Sequence, residues 1–181
     1  MRFRTDWNAF IESLLHRGVR FMIVDAHALA AHGRPRYTED LDILVEPTQA
    51  NARRLGAALG DFGFTAAAKE WRAMARPYQI LVLGQVARID VLSSISGVSF
   101  RDAWKHRLII QTELGALPVL GLAQLLANKR AAGRTKDLMD LVLLDELITP
   151  AASRSRSTRR PRAAPPSRKR GKAARRRPSR A

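Results

Sequence analysis

The stretch Thr38-Glu39-Asp40-Leu41-Asp42-Ile43-Leu44-Val45 decides how this chain reads. From Leu41 it is almost wholly apolar, with β-branched Ile43 and Val45, and Pro47 stops it, so it predicts a buried strand. Asp40 and Asp42 are two apart, so on a strand both carboxylates leave from one face while Leu41 and Ile43 take the other. Two ionised carboxylates side by side repel each other unless a cation lies between them. Hard oxygen donors at this spacing suit Mg²⁺. The plainer alternative is a strand that begins at a solvated edge.

A third carboxylate recurs in the same setting. Asp90 lies inside the apolar run 86–92, where an aspartate is costly unless it is paired or ligates a metal. It reads either as a further ligand or as the partner of Arg88.

Upstream, residues 7–16 carry Trp7, Phe10, Ile11, Leu14 and Leu15 at helical spacing, with Thr5 or Asp6 as the cap and Gly18 as the stop. Residues 19–24 predict a short buried strand that ends in a turn at Asp25-Ala26-His27. Residues 28–32 then form a short helix closed by Gly33, and the Pro35-containing segment 34–39 is a loop. Downstream, residues 48–59 predict a helix capped by Thr48. Residues 78–83 and 86–92 predict a hairpin joined at Gly84-Gln85. Helical patterning returns at 122–131 and at 136–147, after Gly133. The sum is an α+β domain over 1–150, a small mixed sheet flanked by helices and closed by two C-terminal ones.

Charge divides the chain differently. Residues 151–181 hold 13 of its 32 basic residues and none of its 16 acidic ones. The formal charge of +16 therefore belongs mainly to a tail, which excludes a uniformly basic protein. The tail has no aliphatic residue larger than alanine and no aromatic, so it is expected to be disordered. Its cations would condense on RNA or another polyanion in a salt-sensitive, sequence-independent way; a solvated extension without a role and a product of GC-rich coding or an altered reading frame are the other readings. The chain has no cysteine, which excludes disulfides, thiolate metal sites and cysteine nucleophiles. No signal-like segment and no membrane-length apolar run occurs, so a cytoplasmic protein without membrane contact is expected. Neither a P-loop nor a Gly-x-Gly-x-x-Gly is present. Ser93, Ser94 and Ser96 form no triad with an identifiable base, and His27 and His32 read as packing or surface residues.

The strand at 21–24, the loop Ala31-His32-Gly33-Arg34-Pro35-Arg36-Tyr37-Thr38-Glu39 leading into Asp40-Leu41-Asp42, the segment Arg88-Ile89-Asp90-Val91-Leu92, and Lys129 with Arg134-Thr135-Lys136-Asp137-Leu138-Met139-Asp140 together resemble one family. It is the minimal nucleotidyltransferases of the DNA polymerase β-like superfamily, relatives of the AbiEii-type toxins, and the likeness spans about 21–145. The resemblance implies transfer of a nucleotide from an NTP to an acceptor such as tRNA or a protein, with two Mg²⁺ ions held by Asp40, Asp42 and Asp90. Paired cations of this kind stabilise the attacking and leaving oxygens of an in-line displacement. It also implies a nucleotide site that includes Asp25, Ala26, Arg34, Arg36, Lys129 and Asp137, and an antitoxin protein as a partner. One departure stands out. Where the family has Gly-Gly or Gly-Ser after the first strand, this chain has Asp25-Ala26, which sets a carboxylate where phosphates would approach. The alternative function is therefore a catalytically inactive relative that binds nucleic acid through its basic tail.

Overall fold

The computed structural model describes residues 4–65, 67–85 and 87–148; the basic tail and the expectations attached to it lie outside them. The sheet is built around β2 (Leu41–Val45), in which Leu41, Ile43, Leu44 and Val45 are all buried. On one side β2 pairs antiparallel with β1 (Phe21–Ile23), and on the other it runs parallel to β4 (Ile89–Leu92). β3 (Ile80–Leu83) closes the β4 edge antiparallel, and β6 (Gly115–Val119) and β5 (Leu108–Thr112) extend the β1 edge. The order is β3-β4-β2-β1-β6-β5, a six-stranded mixed sheet flanked by helices. This is the α+β layout expected from the sequence.

Helix α1 (Thr5–His16) buries Trp7, Phe10, Ile11 and Leu14, the stripe its spacing predicts. Its cap is Arg4, not Thr5 or Asp6, and no side chain caps it. Gly18 follows with φ 60°, the left-handed stop that a glycine supplies at no steric cost. Helix α3 (Gln49–Asp61) begins as the sequence indicates, with the Asn51 backbone N–H donating to the Thr48 hydroxyl at 3.3 Å. Asn51 then does more than its type suggests. Its buried amide accepts from the Arg20 N–H at 2.7 Å and donates to the Arg20 and Glu46 carbonyls at 2.9 and 3.1 Å. It thereby locks α3 to the ends of β1 and β2.

Three boundaries differ from expectation. Helix α2 spans Asp25–Ala31, so the anticipated turn at 25–27 is its first turn and β1 runs into it with one residue between them. β3 ends at Leu83 and β4 begins only at Ile89, so the hairpin is not joined by Gly84-Gln85 alone. The segment between Leu92 and Leu122, left unassigned by pattern, holds α4 (Phe100–Lys105) and the β5–β6 hairpin. Helices α5 (Leu122–Ala132) and α6 (Thr135–Ile148) end the described part, broken at Gly133 with φ 62°. Among the described residues no helix is long and apolar enough to cross a membrane.

Candidate functional site

Because β2 and β4 run parallel with Asp42 opposite Asp90, their carboxylates lie side by side at the same level of the sheet. Asp40 immediately precedes β2, and its carboxylate accepts the Thr38 hydroxyl at 2.5 Å. Asp90 accepts two 2.7 Å hydrogen bonds from the half-exposed Arg88 guanidinium. Asp90 thus pairs with Arg88, one of the two sequence readings, and is the register partner of Asp42. Burial, and then the charges of Asp25, Asp40 and Asp90, push the Asp42 carboxyl up from 3.8 to about 7.

Asp42 and Asp90 line a cleft of about 430 Å³ together with Asp25, Ser94, Ser96, Asn128 and Arg134. Its remaining wall is more apolar, formed by Val24, Tyr78, Ile80, Leu92 and Ile95 among others. Asp40 opens instead onto a neighbouring cavity of about 420 Å³, shared with Arg4, Tyr37 and Arg88. Asp40 and Asp42 therefore sense each other's charge while facing different hollows.

The second half of the site comes from the last two helices. Lys129 on α5 is fully buried, and its ammonium donates to Asp25, to Asp137 at 3.0 Å and contacts Asp140 at 2.7 Å. Burial opposes that charge, but the hydrogen bonds to Asp140 and Asp25 outweigh it and raise the Lys129 pKa. Around this hub Arg36 bonds Asp140 at 2.7 Å and Asp25 at 3.3 Å. Arg134 holds Asp137 at 2.6 Å, and Lys136 reaches Asp25 at 3.1 Å. Burial drives the Asp137 carboxyl upward, yet the Arg134 and Lys129 hydrogen bonds win and lower it to about 2. For Asp25 the same contest, with Lys129 and Lys136 as the winning cations, also ends in a lowered pKa.

Asp25, Asp137 and Asp140 bring carboxylate oxygens within 4.8 Å of one another, a grouping that could hold a metal ion. Lys129 already supplies positive charge there, so a cation would have to displace a buried, multiply bonded ammonium. The donors around Asp42 are better matched to a hard divalent ion. Asp42 is buried among carboxylate neighbours, and its raised pKa reflects first that burial and then their charge.

Of the remaining residues implied by the resemblance, Ala26 is buried in α2. Arg34 donates to the Leu143 carbonyl of α6 at 3.0 Å and does not line the cleft. Lys129 and Asp137 lie beneath Asp25, not on the cleft surface. Asp140 stands in the C-terminal motif that carries the resemblance, but its part as joint acceptor for Lys129 and Arg36 was not legible from that motif. Asp25 adopts φ 48°, a left-handed conformation for which aspartate is among the better-tolerated non-glycine residues. The position thus keeps glycine-like geometry while carrying a carboxylate.

No family model matches the chain, and no curated protein matches it. Among solved structures it is similar to a candidate nucleotidyltransferase from Thermotoga maritima, with TM-score 0.49 and 14% identity over 81% of this chain and 95% of that one. It is also similar to an antigenic nucleotidyltransferase-like protein from Paracoccidioides brasiliensis, with TM-score 0.47 and 14% identity over 79% and 77% of the two chains.

Proposed function

We propose that the protein is a metal-dependent nucleotidyltransferase that moves a nucleotide from an NTP to an acceptor hydroxyl. The observation that carries this reading is the in-register pair Asp42 and Asp90 at the floor of a cleft of nucleotide size. Mg²⁺ held by Asp42 and Asp90, with the charge of Asp40 acting on it from the neighbouring cavity, would neutralise the triphosphate and the departing pyrophosphate. Arg134, at the cleft wall, adds a cation of the chain's own toward those phosphates. Arg88 fixes the Asp90 carboxylate through its two hydrogen bonds. In the transfer the acceptor oxygen bonds the α-phosphorus as its bond to pyrophosphate breaks, and Asp90 takes the hydroxyl proton. The 13 cations of residues 151–181 suit a polyanionic acceptor, of which RNA is the natural class.

The test is pyrophosphate release and label transfer from each NTP to RNA, with Mg²⁺, by the full chain and by Asp42→Asn. Transfer by the wild type and its loss in a normally folded variant support the reading. Full activity in the variant sinks it.

A second reading is favoured by Asp25, whose carboxylate engages Lys129, Lys136 and Arg36 at the point where the cleft meets α2. In that reading the chain binds nucleic acid through its tail without turnover. It predicts RNA binding that disappears when residues 151–181 are removed.

A further inference from the structure

Tyr78 has φ 61°, a left-handed backbone that a bulky side chain rarely adopts and that glycine or asparagine would meet at less cost. Its ring does not repay this by packing, since the residue is 85% exposed. The backbone there is held by the two serines that follow β4. The Tyr78 N–H donates to the Ser94 hydroxyl at 2.8 Å, and the next N–H, of Gln79, donates to the Ser93 hydroxyl at 2.8 Å. Strain that is held by its surroundings and buries nothing is characteristic of binding sites. Tyr78 also lines the cleft that holds Asp42 and Asp90, next to Ile80, itself 64% exposed. The cleft lining therefore combines charged groups, the carboxylates and Arg134, with the exposed ring of Tyr78 and the apolar side chain of Ile80.

We infer that Tyr78 is the platform on which the base of the bound nucleotide stacks. The inference rests on the nucleotidyltransferase reading and extends it to how the nucleoside end is recognised. An aromatic side chain has few torsions to fix, so a tyrosine on a held backbone binds a base with little loss of side-chain freedom. Stacking accepts every base, and the larger purine faces cover more of the ring than pyrimidines do, so purine nucleotides bind more tightly.

The test is isothermal titration of the full chain, in Mg²⁺, with a non-hydrolysable ATP analogue, the CTP equivalent and inorganic tripolyphosphate. Wild type, Tyr78→Phe and Tyr78→Gly are compared, and thermal unfolding is recorded for each. All three carry the same basic tail, so its non-specific affinity for polyanions cancels in the comparison. Tyr78→Phe is expected to bind like the wild type. Tyr78→Gly is expected to bind the ATP analogue about 5- to 100-fold more weakly, with unchanged tripolyphosphate affinity and a Tm no lower than wild type. Equal ATP affinity in wild type and Tyr78→Gly overturns the inference, and so does an equal loss of the ATP analogue and tripolyphosphate. A wild type that binds tripolyphosphate as tightly as the ATP analogue overturns the platform but leaves the phosphate end standing. A wild type that binds neither overturns the nucleotidyltransferase reading, and the platform with it.

Discussion

Asp42 on β2 and Asp90 on β4 are register partners across a parallel pairing, and the Arg88 guanidinium engages Asp90 through both its carboxylate oxygens. Burial and the surrounding carboxylates leave Asp42 with a pKa of about 7. The unfolded chain ionises this group near its ordinary value of 3.8, so between that pH and about 7 the native state holds a proton that the unfolded state has lost.

Stability contributed by Asp42 is therefore fully present below about pH 4 and is lost as pH rises to about 7. His27 acts in the opposite sense over part of this range, because burial lowers its pKa. The contribution of Asp42 is thus read as the difference between wild type and Asp42→Asn in urea unfolding with EDTA. The two are expected to match near pH 4, and the variant to be more stable at pH 8 by about 2–4 kcal/mol. Mg²⁺ is expected to raise the wild-type Tm at pH 8 and to leave the variant unchanged. Equal stability of the two proteins at both pH values would show that Asp42 is not crowded.

Lys129→Met removes the ammonium shared by Asp25, Asp137 and Asp140 and leaves buried carboxylates short of charge. Loss of stability by about 3–5 kcal/mol is expected, because a buried charge left without its partner costs more than the pair was worth. Adding Asp137→Asn and Asp140→Asn to the same chain should restore much of the loss. Urea unfolding of the single and triple variants checks both statements.

Asp25→Gly keeps the left-handed geometry at residue 25 while removing the carboxylate that Lys136 and Arg36 address. Tripolyphosphate binding, measured in Mg²⁺ at fixed salt, is expected to tighten at least about tenfold, since one anion within a few ångströms of the phosphates is gone. Unchanged affinity would place the phosphates elsewhere.

Asn51→Ala breaks three hydrogen bonds that join α3 to β1 and β2. It is expected to cost about 2–3 kcal/mol, because the Arg20 and Glu46 backbone groups lose a partner in a half-buried setting. A cost near zero would mean that solvent takes over these bonds.

What could be read in the sequence follows the distance over which each signal acts. β2, the Thr48 cap and the left-handed glycines 18 and 133 are local, set by side-chain size and turn chemistry, and each stands where it was expected. The β5–β6 hairpin escaped because Leu108–Thr112 alternates only between exposed and half-buried positions and Pro118 interrupts the apolar run of β6. Asp42 and Asp90 announced themselves as acids in apolar strands. Arg36 meeting Asp140, and Tyr78 held by Ser94, depend on which strand pairs with which and on how the helices close over them. No window of sequence contains that information.

The Lys129–Asp25 contact spans 104 residues. A chain still emerging from the ribosome exposes Asp25, Asp40, Asp42 and Asp90 long before α5 and α6 exist. Four acids gather at one end of the sheet with Arg36 and Arg88 to answer them, and the hub closes when the last helices arrive. The site is therefore completed late in synthesis, and a fragment that stops before Leu122 carries the acids of the cleft without Lys129 and Lys136, the late cations that balance Asp25.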